Sequence, residues 1–284
     1  MKLELANEQD HLILISGGLA SFEAARRVIS RFGKDRIKLW FFDTLIEDED
    51  LYRFLDDIEK SLDVPITKFA DGRNPWEIFK DERYIGNSRV DLCSKNLKRV
   101  LLEKLLRKEY PQKNVILYFG LEWSEEHRIK ALQPRWEQKG YKVDFPLAWE
   151  PLLFPEDYKK ISESLGIPIP RLYNLGFDHN NCGGACIKAG IQQWALLYKN
   201  FPERYKWHEE KEQELRKYLH KNVSILRNRR GGRTRPMTLR FLRWRLENAQ
   251  GKPIKDIVDE SACSCFFNFS ELEEGVYYEI EKQN

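Results

Sequence analysis

The 284-residue chain has no run of 18 apolar residues, and its N-terminus, MKLELANEQD, has no apolar leader. The first absence excludes an ordinary membrane-spanning helix, and the second argues against secretion. We therefore expect a cytoplasmic protein with no membrane partner. No segment repeats at a fixed period and none is of low complexity, so a globular fold is expected.

The chain contains only five cysteines, an odd number, so they cannot all pair with one another. In a reducing compartment this favours thiols or metal ligands over disulfide bonds. The net charge of +3 is unevenly spread, because nine basic residues and no acidic one lie between Lys221 and Arg245. The chain is long for one domain. We expect an α/β domain over residues 1–175, followed by a mostly helical, cysteine-containing and arginine-rich region over 176–284.

The stretch HLILISGGLAS, residues 11–21, runs from an apolar strand into a turn with two glycines. No Walker lysine follows them, which excludes the usual P-loop. The next residues, FEAARRVISRF, have helical apolar spacing, so backbone N–H groups and a helix N-terminus would meet at one anion site. An ordinary strand-to-helix turn has the same residues. The phosphate hypothesis assigns the cradle to Ser16, Gly17, Gly18 and Ser21.

Further apolar runs predict strands over 37–42, 65–69 and 114–119, and helices over 47–62, 97–108, 189–198 and 202–219, with another helix starting near 75. Residues 83–90 fit either a loop or a strand. Alternation of strands and helices predicts a doubly wound, mainly parallel, Rossmann-like sheet of about five strands. Polar residues from Gly120 to Arg128 follow the last of these strands, at the edge where such sheets bind ligands.

Several motifs occur in an order that resembles a known family. They are Ser16-Gly-Gly-x-x-Ser21, the acidic Tyr-x-Phe helix after Asp43-Thr44, Cys93-Ser-x-x-Leu-Lys98, and residues 120–128. The set is similar to the adenine nucleotide α-hydrolase superfamily with its pyrophosphate (PP) loop. Within it, the phosphoadenosine phosphosulfate (PAPS) reductase-like branch is the nearest resemblance. The segment GFDHNNCGGACIKAG resembles phage and bacterial proteins of that branch.

The resemblance implies an enzyme that binds ATP with Mg²⁺ and adenylates an acceptor, with sulfur transfer to a nucleic-acid base or a small molecule as one form of the reaction. The PP loop and Gly120 would hold the nucleotide, with Asp43 and Thr44 near the adenosine. Asp43 is equally suited to cap the following helix. The implied catalytic groups, each with a surface position as the alternative, are Lys98, Glu122 or Glu125, and Arg128.

Two departures keep other functions open. ATP-using members have an aspartate where this chain has Ala20, which favours a nucleotide-sensing or nucleic-acid-binding protein without turnover. Sulfonucleotide reductases carry a nucleophilic cysteine in a C-terminal Glu-Cys-Gly-His element. Here the tail has Cys263 and Cys265 without a neighbouring histidine. Reduction of PAPS or its unphosphorylated analogue is therefore an alternative to ATP cleavage.

The cysteines form a second group. Cys182 and Cys186 flank flexible glycines, and the spacing allows both thiols to face one centre. With Cys93 and either Cys263 or Cys265, taken here as Cys265, they would suit a [4Fe-4S] cluster or zinc. His179 is an alternative ligand, and buried inert thiols are the alternative to any metal.

The arginines from Arg227 to Arg245 surround two glycines and end near Trp244. A flexible Arg-Gly segment beside aromatic residues would suit the phosphate backbone of a tRNA or DNA substrate, or a lid over bound nucleotide. The oligomeric state stays open.

Overall fold

The computed structural model describes residues 9–86, 90–230 and 233–248. The described residues of Met1–Ile78 and Leu92–Cys186 form one compact unit, unit 1. Those of Phe79–Asp91 and Ile187–Asn284 form a second, unit 2. The sequence placed a boundary at 175–176, whereas unit 1 extends through the cysteine segment to Cys186.

Unit 1 is built on a five-stranded parallel sheet. Its strands, in the spatial order β3-β2-β1-β4-β5, are β1 (Asp10–Ile15), β2 (Ile37–Asp43), β3 (Ile66–Ala70), β4 (Val115–Tyr118) and β5 (Lys142–Asp144). The chain builds outward from β1 to β3 and then returns to place β4 on the other side of β1. The sheet confirms the predicted doubly wound α/β class, and the carboxyl ends of β1 and β4 mark its switch point.

Both faces of the sheet are covered because alternate strand residues point to opposite sides. On one face Ile13 and Leu39 pack with α1 (Leu19–Phe32), α2 (Glu49–Leu62) and α6 (Pro155–Ser164). On the other, Leu12 and Trp40 pack with α4 (Leu101–Glu109) and α5 (Glu126–Glu137). Two short α-helices also belong to the unit: α3 (Pro75–Asp81), which begins there, and α7 (Arg171–Asn174).

Two predicted helix starts need correction. The helix predicted over 97–108 begins earlier, as a π-helical segment, Ser94–Val100, that runs into α4. Helix α2 begins at Glu49 rather than residue 47, and its cap is Asp48, whose carboxylate accepts from Asp50 N at 3.0 Å. Asp43 therefore does not cap it. The predicted apolar face is confirmed: the buried residues of α2 are Leu51, Phe54, Leu55, Ile58 and Leu62.

Unit 2 contains α8 (Ile191–Asn200), α9 (Pro202–Leu219), strands β6 (Leu226–Arg230) and β7 (Arg233–Met237), and α10 (Leu239–Glu247). The sequence predicted a flexible Arg-Gly segment where β6 and β7 pair antiparallel. The buried Glu212 of α9 holds both ends of this hairpin in place. Its carboxylate accepts from Ile225 N at 3.0 Å, just before β6, and from Leu239 N at 2.7 Å, just after β7. Residues 231 and 232 lie outside the described residues. No described helix has the length and apolar character needed to cross a membrane.

Candidate functional site

A cavity of about 650 Å³ opens at the switch point of the sheet in unit 1. One wall comes from the loop after β1, and the facing wall comes from the segment after β4. Later segments of the chain close the remaining sides. The lining residues are Ser16, Gly18, Leu19, Ala20, Glu122, Glu125, Pro155, Tyr158, Lys159, Tyr173, Gly176, Phe177, Asp178, His179, Asn180 and Asn181.

The two loop glycines have different tasks. Gly17 has a φ of +77°, and a Cβ there would lie 2.6 Å from Leu51 Cγ. It is therefore a shaping residue, and it faces the core rather than the cavity. Gly18 is extended, with φ −109°, and a Cβ there would meet the Tyr173 hydroxyl at 3.0 Å, on the cavity side.

The two serines also differ. The Ser21 hydroxyl accepts from Ser16 N and from Ser16 Oγ, each at 3.1 Å, and donates to Gly18 O at 2.8 Å. It is buried and braces the loop from inside, while Ser16 lines the cavity. Gly120 supports the same brace, since a Cβ there would lie 3.2 Å from Ser21 Cα. The loop geometry is thus held by the protein's own hydrogen bonds.

The N-terminus of α1 is directed at the cavity. Its N-cap residue, Gly18, has no side chain to accept from the first turn, and Leu19 N donates to the Tyr173 hydroxyl at 3.4 Å. The same hydroxyl receives the backbone N–H of Asn180, and burial raises the pKa of Tyr173. An uncapped helix N-terminus beside a glycine turn is suited to an anion such as a phosphate.

The facing wall carries two carboxylates. Glu122 and Glu125 form a capping box around the 3-10 helix Trp123–Glu125, with Glu122 N donating to Glu125 Oε2 at 3.1 Å. Burial and the Glu125 charge raise the pKa of Glu122. Arg128 is exposed and does not belong to the described lining of the cavity, but its guanidinium donates to Glu125, which does.

The residues expected near an adenosine lie at the end of β2. Asp43 accepts from Leu45 N at 2.7 Å and from the Tyr52 hydroxyl at 2.9 Å. Thr44 is buried, and its hydroxyl donates to Glu47 at 2.7 Å. Neither residue belongs to the described lining of the cavity.

Sequence reasoning missed the segment 176–181 as part of this cavity. Asn180 is fully buried, and its side-chain amide donates to Gly17 O at 2.8 Å, which ties the segment to the loop between β1 and α1. Lys159, Tyr158 and Tyr173 were also missed. The polar run FDHNN was a visible signal for 176–181, because asparagine and histidine between apolar stretches favour hydrogen-bonding loops.

The cysteine segment follows directly. Cys182 N donates to the Glu47 carboxylate. The neighbouring Cys186 thiol, then burial and the Glu47 charge, raise the pKa of Cys182 well above its usual value. The Cys186 thiol also raises the pKa of His179. Lys98 acts electrostatically on Cys182 and Glu47 and lies outside the described lining of the cavity.

The expected metal site is not supported. In the described ranges no group of three or more histidine, cysteine, aspartate or glutamate side chains is arranged to hold a metal ion. Cys93, Cys182 and Cys186 are not joined in disulfides, and Cys263 and Cys265 lie outside the described residues. Neither an iron–sulfur cluster nor zinc therefore has support from these residues.

Comparison with known proteins adds little to this geometry. No family model matches the chain, and no curated protein matches it. Among solved structures, it is similar to phosphoadenylyl-sulfate (PAPS) reductase from Candida auris in a phosphate complex, at 17% identity and a TM-score of 0.44. The match covers 62% of this chain and 83% of that one. A likeness this distant supports no statement about the activity of this chain.

Proposed function

We propose that this chain is a PP-loop enzyme that binds ATP at the switch-point cavity and cleaves it between the α and β phosphates, transferring the adenylate to an acceptor. One observation carries the proposal: Ser16, Gly18 and the N-terminus of α1 face Glu122 and Glu125 across a single cavity. The choice of an adenine nucleotide rests on the sequence resemblance.

The loop is prepared for phosphate before any ligand arrives. Ser21 fixes its shape by three hydrogen bonds, and Asn180 fixes the Gly17 carbonyl. A preorganised loop loses little conformational entropy on binding. Ser16 N and Leu19 N already donate to side-chain hydroxyls, so the attraction to a phosphate would come from the other N–H groups of the loop. Lys159, on the cavity wall, is paired with the exposed Glu156 at 3.2 Å, and it could exchange that solvated partner for a second phosphate.

The carboxylates fit a nucleotide-bound Mg²⁺. This ion usually takes one or two protein carboxylates together with substrate phosphates, so it needs no cluster of three protein ligands. Burial and the neighbouring Glu125 charge disfavour ionisation of Glu122, and a bound cation would offset both effects. We assign Glu122 as the carboxylate that would hold the metal, whose charge would stabilise the departing pyrophosphate. Arg128, through Glu125, would orient this wall.

A second candidate function is nucleotide binding without turnover. Ala20 lines the cavity at the position where the resemblance implies an aspartate in ATP-using enzymes. A methyl group there cannot take part in metal or proton handling.

A nucleic acid is the acceptor class we propose. Arg227 and Arg235 are exposed on the β6–β7 hairpin, whereas Arg240 and Arg243 are ion-paired with Glu209. The available cations are thus on the hairpin, and phosphate backbones are recognised by such groups.

Calorimetry with Mg·ATP and with PAPS tests the proposal. Gly18→Ala places a methyl group toward the cavity without backbone strain, and it should weaken Mg·ATP binding by about tenfold or more. Gly190→Ala is the matched control, because no described atom lies within 4 Å of its added Cβ. Mg·ATP binding followed by pyrophosphate release with an acceptor supports the enzyme.

The other outcomes are equally decisive. Preference for PAPS replaces the proposal with a sulfonucleotide reductase. Tight Mg·ATP binding without pyrophosphate release, with single-stranded DNA or tRNA present, favours the second candidate. No binding of either nucleotide refutes the assignment of the loop.

A further inference from the structure

Two side chains in the wall of the switch-point cavity each bury a polar atom that lacks a hydrogen bond. Tyr158 is 3% exposed and Asn180 is fully buried, and both residues line the cavity. The Tyr158 hydroxyl and Asn180 Oδ1 have no hydrogen-bond partner within the part of the chain that the structure describes. Folded proteins pair nearly all such atoms, because an unpaired buried atom costs free energy. Two of them on one cavity therefore indicate a bound group that pairs with them.

The orientation of Asn180 decides what that bound group must offer. Its amide nitrogen donates to Gly17 O at 2.8 Å, so the atom left without a partner is the amide oxygen, which can only accept. The Tyr158 hydroxyl can donate or accept. The ligand must therefore bring an O–H or N–H group to Asn180. A fully ionised phosphate has no such group, so the phosphates themselves do not pair with this atom.

The hydrogen bond to Gly17 also limits which part of a nucleotide can reach Asn180. Gly17 belongs to the loop between β1 and α1, which is the wall of the cavity suited to phosphate. In a nucleotide the ribose is bonded directly to the phosphate chain, whereas the base lies beyond the ribose. The part of the ligand next to the bound phosphates is therefore the ribose, and its hydroxyls are donors. Acceptor side chains recognise ribose hydroxyls in the same way at dinucleotide sites.

We propose that Asn180 and Tyr158 recognise the ribose of the bound nucleotide, with Asn180 Oδ1 accepting from one ribose hydroxyl and the Tyr158 hydroxyl pairing with the same sugar. This inference rests on the proposed binding of a nucleotide in the cavity, and it adds that the nucleotide must be a ribonucleotide. The amide of Asn180 then has two roles, because its nitrogen holds the loop through Gly17 and its oxygen holds the sugar. Both residues are specificity-determining rather than catalytic.

Calorimetry on the full chain with Mg·ATP, Mg·2′-deoxy-ATP and Mg·3′-deoxy-ATP tests this selection. The two analogues keep the base and the triphosphate of ATP, so each differs from ATP by one hydroxyl only. At least one analogue should bind about tenfold or more weakly than Mg·ATP, because it leaves a buried polar atom unpaired. Mg·ITP, which replaces the base amine of ATP with a carbonyl, measures any contribution of the base.

Two variants connect the selection to these side chains. Tyr158→Phe removes a hydroxyl that has no described partner in the protein, so it should leave stability unchanged while narrowing the preference for Mg·ATP over at least one deoxy analogue. Asn180→Ala also removes the bond to Gly17 O and should weaken every nucleotide, but the same preference should narrow. Tyr110→Phe is the matched control, because Tyr110 is buried outside the described lining and its hydroxyl donates to Asp10. It should leave the preference unchanged.

Three results would overturn the inference while leaving the proposed nucleotide site intact. Equal affinities for Mg·ATP and both deoxy analogues would assign the two atoms to ordered water. A preference for Mg·ATP over Mg·ITP without any preference over the deoxy analogues would assign them to the base. An unchanged preference in both Tyr158→Phe and Asn180→Ala would place ribose selection elsewhere in the cavity. A chain that binds none of these nucleotides refutes the proposed function itself, and this inference with it.

Discussion

Replacing Gly17 with alanine tests the shape of the loop between β1 and α1, because two independent energetic costs arise at that position. A φ of +77° costs an L residue roughly 1–2 kcal/mol. The new Cβ would also lie 2.6 Å from Leu51 Cγ, and over-packing of a buried side chain costs about 1–3 kcal/mol. We therefore expect Gly17→Ala to lower the free energy of unfolding by about 2–5 kcal/mol.

Two further alanine variants separate these costs. Gly166 has φ +71° with no described atom within 4 Å of an added Cβ, so Gly166→Ala reports backbone strain alone, about 1–2 kcal/mol. Gly18→Ala adds a methyl group in an extended conformation and should cost less than about 1 kcal/mol. It should nevertheless weaken Mg·ATP binding.

Hydrogen exchange of the β1 amides is the suitable assay, because the chain has two units that need not unfold together. The buried amides of Ile13 and Ile15 report the opening of unit 1 directly. Equal losses in Gly17→Ala and Gly166→Ala would refute the role of Leu51. An unchanged exchange rate in Gly17→Ala would refute the loop geometry itself.

Three other perturbations have defined outcomes. Asp48→Asn keeps the cap of α2 but loses the charge that Arg171 contacts at 2.8 Å, so hydrogen exchange of the β1 amides should show a loss of about 2–4 kcal/mol in the free energy of opening. Burial, helped by a nearby positive charge, lowers the pKa of His208 to about 3. Below pH 6.5 the histidine takes up a proton in the unfolded chain but stays neutral in the folded one. The free energy of unfolding should therefore be highest above pH 6.5 and fall by up to about 1.4 kcal/mol per pH unit toward pH 3. The variant His208→Gln should not show this pH dependence. Replacing Arg227 and Arg235 with glutamine should weaken the salt dependence of single-stranded DNA binding. In fluorescence anisotropy titrations, the slope of log K against log salt concentration should fall in magnitude by about 1 for each phosphate that an arginine no longer neutralises.

Each of these has a matched control on the surface. Glu49→Gln removes a carboxylate that is 83% exposed and should change stability by less than about 0.5 kcal/mol. His127→Gln should leave the pH profile unchanged because His127 is exposed. Lys221→Gln, outside the hairpin, should leave the salt slope of DNA binding unchanged. Controls that match their test variants would contradict the three explanations.

The sheet was largely readable from the sequence because buried parallel strands are continuous apolar runs. Strands β1, β2 and β4 follow that rule for most of their residues, whereas β3, ITKFA, is exposed at three of its five positions. The apolar face of α2 follows the helical period instead. Strand β5 was missed because Lys142–Asp144 is three residues long with charged ends, and only its pairing with β4 makes it a strand. The alternative that Asp43 caps α2 was wrong, because Asp48 is the cap and Asp43 binds the Tyr52 hydroxyl, a contact that depends on how the turn folds back.

The sequence predicted only those site residues that directly follow the carboxyl ends of strands. Ser16, Gly18 and Glu122 were predicted to meet because β1 and β4 end at one edge of the sheet, and they do line one cavity. The sequence could not assign Ser21 to the inside of the loop, since that depends on the hydrogen bond to Gly18 O. Tyr173 and Lys159 come from segments far along the chain, where no local pattern indicates the β1 loop.

The division of the chain into units has a consequence for its synthesis on the ribosome. Unit 2 includes the early segment Phe79–Asp91, in which Phe79 and Ile85 are buried. Roughly a hundred residues must be translated before Ile187 begins the remainder of that unit, which takes about 5–20 s at usual rates. During this time Phe79 and Ile85 lack their native packing partners in unit 2. A nascent chain arrested before Ile187 is therefore the form of this protein that we expect chaperones to bind most strongly.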